Sequence, residues 1–212
     1  AAKWYKFAAE PKRDLLTDKS LPGLTLAQNN FGCMLRDGRG VEQDYTLAVR
    51  WFRKAARSGN PDGLHNLGMM YEKGLGVKRD LRESGQLYLQ AATKENVYAM
   101  NSLGWLFEKG LGATLNNEKS AYWYRQAAER GYALGMHNLA TMYRDGRGVS
   151  QDFGMAADWY EKAALRGNAY SQAMIGWMHE NGRGVKQDFL IASDWYRQAA
   201  EQGLAVGQIS LG

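Results

Sequence analysis

The chain has 212 residues, of which 45% are hydrophobic and 23% are charged, and this composition excludes an intrinsically disordered protein. No apolar run approaches the roughly 18 residues of a membrane-spanning helix, and the single cysteine, Cys33, excludes a disulfide framework and a multi-cysteine metal site. The net charge is +5, but the 27 basic and 22 acidic residues are interleaved, which favours a solvated, mixed-charge surface over a nucleic-acid-binding patch.

Internal repeats with a period of 36 residues organise the sequence. Each repeat has a hydrophobic pair followed by Ala-Ala, and these pairs are Trp51-Phe52, Leu87-Tyr88, Trp123-Tyr124, Trp159-Tyr160 and Trp195-Tyr196. Two glycines at positions i and i+2 keep the same period, the first of them being Gly38, Gly74, Gly110, Gly146 and Gly182. An acid or amide follows them at Asp44, Asp80, Asn116, Asp152 and Asp188.

The repeats define the predicted organisation of the chain, which is five units at 25–60, 61–96, 97–132, 133–168 and 169–204. Residues 1–24 are interpreted as the tail of a preceding unit plus an insertion near Pro11–Thr25. The spacing from Trp4 to Trp51 is 47 residues, 11 more than one period. Residues 205–212 begin a further unit, so we expect the chain to be part of a longer array.

Each unit is predicted to form two helices of about 12–14 residues. In the second unit, Gly63, Leu67 and Tyr71 recur at four-residue steps, which is the spacing of one helical face. Gly74 is predicted to follow the end of this helix in a left-handed conformation. Asp80 is predicted to be the N-cap of the second helix, where its carboxylate accepts hydrogen bonds from exposed amides.

The pattern resembles the Sel1-like repeat, a relative of the tetratricopeptide repeat. The fourth unit carries its most complete form, with Asn138-Leu139, Tyr143, Gly146-Arg147-Gly148-Val149, Asp152 and Trp159-Tyr160. The resemblance implies an all-α fold, a right-handed α-solenoid superhelix of antiparallel helix pairs. It also implies a bacterial protein-interaction scaffold in envelope or host-contact processes, with no catalytic site and no cofactor, and favours a periplasmic or secreted location.

The predicted binding face lies on the first helix of each pair, because this helix lines the concave face in tetratricopeptide-like solenoids. Its positions are the residue before the Asn of the N-L-G motif and the residues four and seven further on. These positions vary between repeats, so we expect them to be freer of the fold than the fixed ones. The predicted partner-binding residues are His65, Met69, Glu72, Asn101, Trp105, Glu108, His137, Arg144, Trp177 and Glu180.

Two tryptophans, Trp105 and Trp177, fall outside the packing slot that the other tryptophans occupy. We expect them, with Met69, to anchor an extended peptide or a protein surface, because an exposed indole buries a large area at low rotamer cost. The alternative is that each packs against the next helix as part of the core. Acids outnumber bases among the predicted positions, which favours a basic or amphipathic peptide as the partner.

Metal and nucleophile sites are not predicted. His65 and His137 are two repeats apart, too distant to share one ion at bond lengths of about 2 Å, and His179 replaces the Tyr of the repeat. Cys33 has only His65 as a candidate base, a weak indication of a nucleophile.

Two other functions stay open. A glycan- or cell-wall-associated envelope scaffold is one, because aromatic side chains also stack on sugars. A β-lactam-binding or -hydrolysing relative is the other. It is less favoured, because those relatives are rich in disulfides and the chain has no cysteine pair and no Ser-x-x-Lys set.

Overall fold

The structure is a computed structural model that describes residues 22–204. The predicted further repeat at 205–212, and the predicted tail and insertion as far as residue 21, lie outside the described residues. Within that range the chain forms ten α-helices and no strand. The helices are α1 (Pro22–Asp37), α2 (Tyr45–Arg57), α3 (Pro61–Lys73), α4 (Leu81–Ala92), α5 (Val97–Lys109), α6 (Asn117–Glu129), α7 (Ala133–Asp145), α8 (Phe153–Ala164), α9 (Ala169–Asn181) and α10 (Phe189–Glu201).

The odd-numbered helices are the first helices of their repeats, and the even-numbered helices are the second. Helices α2 to α10 have 12 or 13 residues, within the predicted length. First and second helices of one repeat pack together, as α3 does with α4, and second helices also pack on the next first helix, as α8 does on α9. The predicted all-α array of helix pairs is therefore confirmed for the described residues.

Backbone contacts divide the chain into two compact units near the end of α5. Unit 1 contains the described residues up to 106 together with 110–114. Unit 2 contains residues 107–109 and the described residues from 115 onward. No helix among residues 22–204 is long and apolar enough to cross a membrane.

Local capping residues explain where the helices begin and end. The predicted N-cap Asp80 is confirmed, since its Oδ1 accepts hydrogen bonds of 3.0 Å from the backbone amides of Arg82 and Glu83. Gly74 follows α3 with φ of 69°, the predicted left-handed conformation. A left-handed glycine after the first helix and an Asp or Asn N-cap before the second recur in the later repeats, so each helix pair has the same boundaries.

The second glycine of the loop in the second to fifth repeats permits a close approach to the preceding repeat. A Cβ on Gly148 would overlap the backbone of Asn117, the first residue of α6 in the preceding repeat. Equivalent overlaps would occur between Gly76 and Tyr45, between Gly112 and Leu81, and between Gly184 and Phe153. Each of these loops therefore needs a residue without a side chain where it rests on the preceding second helix.

The core lies between the two helices of each pair. Tyr88, Tyr124 and Tyr160 of the second helices are fully buried, together with the Ala-Ala pair that follows each of them. A Cβ on Gly68 of α3 would touch the ring of Tyr88, so the glycine of the N-L-G motif lets this ring lie flat on the first helix.

Candidate partner-binding faces

The structure places all ten predicted binding residues on first helices. In unit 1, α3 carries His65, Met69 and Glu72, and α5 carries Asn101 and Trp105. In unit 2, the end of α5 carries Glu108, α7 carries His137 and Arg144, and α9 carries Trp177 and Glu180. We call these two sets the face of unit 1 and the face of unit 2.

An aromatic cluster surrounds His65 in unit 1. Its ring lies 5.4 Å from that of Tyr88 and 5.9 Å from that of Tyr98, measured between ring centroids. Burial, with a smaller contribution from Arg36, lowers the pKa of His65 to about 4. The imidazole is therefore neutral at pH 7, and it supports the ring of Tyr98, which is 51% exposed.

The same cluster recurs around His137 in unit 2. Its Nδ1 shares a hydrogen bond of 2.8 Å with Ser171 Oγ, and its ring centroid lies 5.4 Å from Tyr160 and 6.3 Å from Tyr170. Burial again lowers the pKa of His137 to about 4, with Arg144 contributing less. Tyr170 is 64% exposed, so unit 2 also presents a tyrosine supported by a neutral histidine.

Tyr98 and Tyr170 were missed by the sequence reasoning, although a signal for them exists. They are 72 residues apart, the separation that also relates Trp105 to Trp177. Each tyrosine lies seven residues before a tryptophan on the same helix, which is about two turns or 10.5 Å along the axis. Each face therefore presents a tyrosine and a tryptophan in line along one helix.

The two tryptophans differ in exposure. Trp177 is 38% exposed on α9, whereas Trp105 on α5 is half-buried. Trp51, which fills the packing slot of its repeat, is 3% exposed, but the other described slot tryptophans, Trp123, Trp159 and Trp195, are half-buried as Trp105 is. Unit 2 thus offers more indole surface than unit 1.

The acidic residues of the faces are hydrogen-bonded to the buried tyrosines. Tyr88 donates to Glu72 Oε2 at 2.6 Å, and Tyr196 donates to Glu180 Oε2 at 2.7 Å. The expectation that variable positions are freer of the fold than the fixed ones does not hold for these glutamates. A buried hydroxyl needs an acceptor, and the glutamate supplies it.

In the two repeats without this glutamate, the aromatic residue of the second helix either bonds to another side chain or has no hydroxyl. Arg144 replaces the glutamate in the fourth repeat, where the Tyr160 hydroxyl instead shares a hydrogen bond of 2.8 Å with Thr141 Oγ1. Arg36 replaces it in the first repeat, where the aromatic residue is Phe52 and has no hydroxyl. The glutamate is therefore replaced where the second helix has no hydroxyl, or where another first-helix residue, Thr141, bonds to the hydroxyl.

Glu108 differs from the other two glutamates because it has cationic partners. Arg147 approaches its Oε1 at 2.8 Å and Lys109 at 3.2 Å, while Tyr124 donates to Oε2 at 2.8 Å. Burial alone would raise its pKa, but these hydrogen bonds hold the pKa of Glu108 below its ordinary value. Among residues 22–204, neither Glu72 nor Glu180 has a Lys or Arg within ion-pair distance.

The arginines near the faces are paired with neighbouring aspartates. Arg144 Nε lies 2.7 Å from Asp145 Oδ1, and Arg36 Nε lies 2.6 Å from Asp37 Oδ1. The hydrogen bond that each arginine donates to the adjacent aspartate raises the pKa of its guanidinium. Each aspartate is shared with a loop arginine, since Arg39 lies 2.9 Å from Asp37 and Arg147 lies 3.3 Å from Asp145.

Met69 borders an open depression of about 530 Å³ in unit 1. Arg36, Asp37 and Lys73 contribute charged groups to its lining. Met69 and Asn101 are both half-buried on their helices. The Met69 side chain therefore stays partly accessible at the border of this depression.

The remaining chemistry-bearing residues have structural neighbours. Cys33 is half-buried, and burial raises the pKa of its thiol, which opposes the thiolate that a nucleophile needs. Its Sγ lies 3.6 Å from Nδ2 of Asn66. His179 Nδ1 lies 3.3 Å from the carbonyl oxygen of Lys186. The part of the chain that the structure describes contains no group of three His, Cys, Asp or Glu residues placed to hold a metal ion.

Comparisons with known proteins agree with this architecture. A family model described as Sel1 repeat matches residues 25–60, 61–96, 97–132, 133–168 and 169–204. A protective antigen of uropathogenic Escherichia coli with an SLR fold is 38% identical, with a TM-score of 0.82. That match covers 99% of this chain but only 43% of the antigen. No curated protein sequence matched the chain.

Two further solved structures are similar. A Sel1 repeat protein from Oxalobacter formigenes is 30% identical with a TM-score of 0.80, over 90% of this chain and 77% of that one. An immunity protein from Pseudomonas aeruginosa is 19% identical with a TM-score of 0.61, over 95% of this chain and 74% of that one. The latter similarity concerns the fold alone.

Proposed function

Because the chain belongs to the Sel1 repeat family, we propose that it is a non-enzymatic scaffold that binds a protein partner on its first-helix faces. The predicted resemblance and the α-solenoid fold class are confirmed by the matched repeats. Sel1 repeat proteins generally act as protein-interaction scaffolds. The observation that carries the proposal is the exposed indole of Trp177, 38% accessible in the middle of a first helix.

We expect the tryptophans and tyrosines of the two faces to anchor the partner. Tryptophan and tyrosine bury large areas with few rotatable bonds, and they dominate the energetics of many interfaces. Trp177 and Tyr170 lie on one side of α9, and Trp105 and Tyr98 lie on one side of α5. Met69 adds a flexible apolar contact in unit 1. Polar groups around these anchors set the orientation of the partner more than its affinity.

The setting that we propose for this scaffold is the bacterial envelope or a host contact. The support is the similarity to an antigen of uropathogenic Escherichia coli that is described as protective. This chain spans 43% of the length of that antigen, so the partner is sought with both envelope and host-cell extracts. A periplasmic or secreted location remains a prediction.

The test is partner capture followed by measurement with purified components. Proteins captured from the two extracts are identified by mass spectrometry, and their affinities are measured for wild type, Trp105→Ala and Trp177→Ala. The matched control is Tyr122→Ala, which removes a 53% exposed aromatic ring from the second helix α6. Circular dichroism confirms that every variant is folded.

We expect at least one tryptophan variant to weaken binding about tenfold or more, which is the usual effect of removing an interface anchor. Tyr122→Ala should leave the affinity unchanged. If only Tyr122→Ala weakens binding, the first-helix faces are not the site. Specific binding of a glycan in place of a protein, or turnover of nitrocefin by the purified chain, would each replace the proposed function.

A further inference from the structure

One aromatic constellation occurs once in each unit. In unit 1 it consists of His65, Tyr98 and Trp105, and in unit 2 the residues 72 positions later are His137, Tyr170 and Trp177. In both units the buried histidine ring packs beside the exposed tyrosine of the next repeat. The recurrence indicates that each unit carries its own copy of the binding face.

Each constellation has a carboxylate without a cationic partner among the described residues. Glu180 lies three residues after Trp177, so the two side chains project from adjacent turns of α9. In unit 1, the Tyr88 hydroxyl donates to Glu72, and the His65 ring lies beside both Tyr88 and Tyr98. Tyr98 is on α5, so Glu72 belongs to the cluster that packs against the helix carrying Trp105.

The other charged groups near the faces do not cancel these carboxylates. Arg36 and Arg144 are each paired with an adjacent aspartate, at 2.6 and 2.7 Å. His65 and His137 are neutral at pH 7, because burial lowers the pKa of each to about 4. Within residues 22–204, Glu72 and Glu180 therefore each keep a negative charge that no lysine or arginine pairs with, in a chain whose net charge is +5.

Two tryptophans of the packing slot, Trp51 and Trp159, are covered by lysines of this chain. The Lys54 ammonium lies 3.9 Å from the ring centroid of Trp51, and the Lys162 ammonium lies 4.5 Å from that of Trp159. Within residues 22–204, no lysine or arginine lies over the ring of Trp105 or Trp177. These two indoles can therefore accept a cation from outside the chain.

We propose that each unit binds one lysine or arginine side chain of the partner, so that one chain takes two basic segments. The cation lies over the indole of Trp105 or Trp177 and pairs with Glu72 or Glu180. Arginine is preferred, because its planar guanidinium stacks on an aromatic ring while it bonds to a carboxylate. This inference rests on the proposed function and names the chemistry that the partner presents.

Synthetic peptides test the inference without a known partner. The probe is a twelve-residue Gly-Ser peptide with two central arginines, and its counterpart has citrulline, which is planar and uncharged, in their place. Calorimetric titration of the folded chain should give two arginine peptides per chain, with the citrulline peptide at least tenfold weaker. General attraction cannot produce this result, because the chain itself is positive.

Variants locate the two sites. Trp105→Ala and Trp177→Ala should each reduce the stoichiometry to one, whereas the control Tyr122→Ala should leave it at two. Glu180→Gln should weaken the unit 2 site several-fold, although the amide oxygen still accepts the Tyr196 hydrogen bond. Trp177→Phe should retain part of the affinity that Trp177→Ala loses, because the cation still meets an aromatic face.

Equal binding of the arginine and citrulline peptides would overturn the inference. A stoichiometry that neither tryptophan variant changes would also overturn it. If a captured protein depends on Trp105 or Trp177 but the arginine peptide does not bind, the proposed function stands and this inference fails. If a captured protein depends only on Tyr122, the proposed function fails as well.

Discussion

The faces of the two units share their aromatic residues and differ in their polar ones. His65, Tyr98 and Trp105 in unit 1 are repeated as His137, Tyr170 and Trp177 in unit 2. Glu72, however, is replaced by Arg144, and Met69 by Thr141. The difference shows that a polar position of a first helix can change while the tyrosine on the second helix is kept, because another residue of the first helix bonds to the tyrosine hydroxyl. In unit 2, Thr141 bonds to the buried hydroxyl of Tyr160, as Glu72 bonds to that of Tyr88 in unit 1.

The largest effect is expected from a substitution that disturbs the packing between neighbouring repeats of unit 2. Gly148→Ala should destabilise unit 2 by about 4 kcal/mol, since φ is +70° and the new Cβ would overlap Asn117. The matched control is Gly167→Ala, where φ is +80° but no atom lies within 4 Å, and about 1 kcal/mol is expected. Urea unfolding measures both, and equal losses would refute the role of the close approach.

Acid should weaken both units through their buried histidines. The folded-state pKa of about 4 lies below the ordinary 6.5, so the unfolded state binds more protons between these values. The histidines' contribution to the free energy of unfolding is fully present above pH 6.5, and it is lost as the pH decreases towards 4. At about 1.4 kcal/mol per pKa unit, the loss approaches roughly 3 kcal/mol for each histidine.

Single substitutions separate the contributions of the two histidines. His65→Asn and His137→Asn should each remove about half of the loss between pH 6.5 and pH 4.5, measured as the difference in unfolding free energy from wild type. Subtracting the wild-type unfolding free energy from that of each variant cancels the contribution of carboxylates that titrate near the lower end of this range. A pH dependence that neither substitution changes would contradict burial as the cause of the low pKa.

The two kinds of tyrosine partner should give different losses when the hydroxyl is removed. Tyr88→Phe leaves the Glu72 carboxylate without its donor and should cost about 2 kcal/mol. Tyr160→Phe removes a bond to the Thr141 hydroxyl and should cost about 1 kcal/mol. Denaturant unfolding of the two variants provides the comparison. If Tyr160→Phe loses more stability than Tyr88→Phe, the bond from Tyr88 to Glu72 is not the stronger of the two.

The smallest effect concerns the ion pair that distinguishes Glu108. Arg147→Gln should cost no more than about 1 kcal/mol, because a third of the arginine side chain is exposed and solvent screens the pair. The same change should raise the pKa of Glu108, which NMR titration of the side-chain carboxyl can follow. The control Arg183→Gln changes the equivalent loop arginine of the next repeat and should leave that pKa unchanged.

Local features of the fold could be predicted from the sequence because they depend on backbone chemistry. Gly74 and Asp80 were recognised as helix boundaries, since a left-handed φ and unpaired amides require those residue types. The 36-residue period fixed the helix pairs, and the structure confirms them in the described residues.

Contacts between the helices explain why the faces were predicted less completely. The hydrogen bond from Tyr88 to Glu72 joins two helices across 16 residues, and no local pattern reports it. The burial of His65 and His137 depends on tyrosines of the following repeat, which are distant in sequence. Tyr98 and Tyr170 could have been found by comparing repeats at the doubled period of 72 residues.

Site-specific photocrosslinking tests the central claim most directly, because it reports where the partner lies on the chain. Benzoylphenylalanine replaces Trp105, Trp177 or Tyr122 in turn, and each folded variant is irradiated with the purified partner. Binding on the first-helix faces predicts crosslinks from position 105 or 177 and none from position 122. Crosslinks from position 122 alone would place the partner on the second helices and contradict the account.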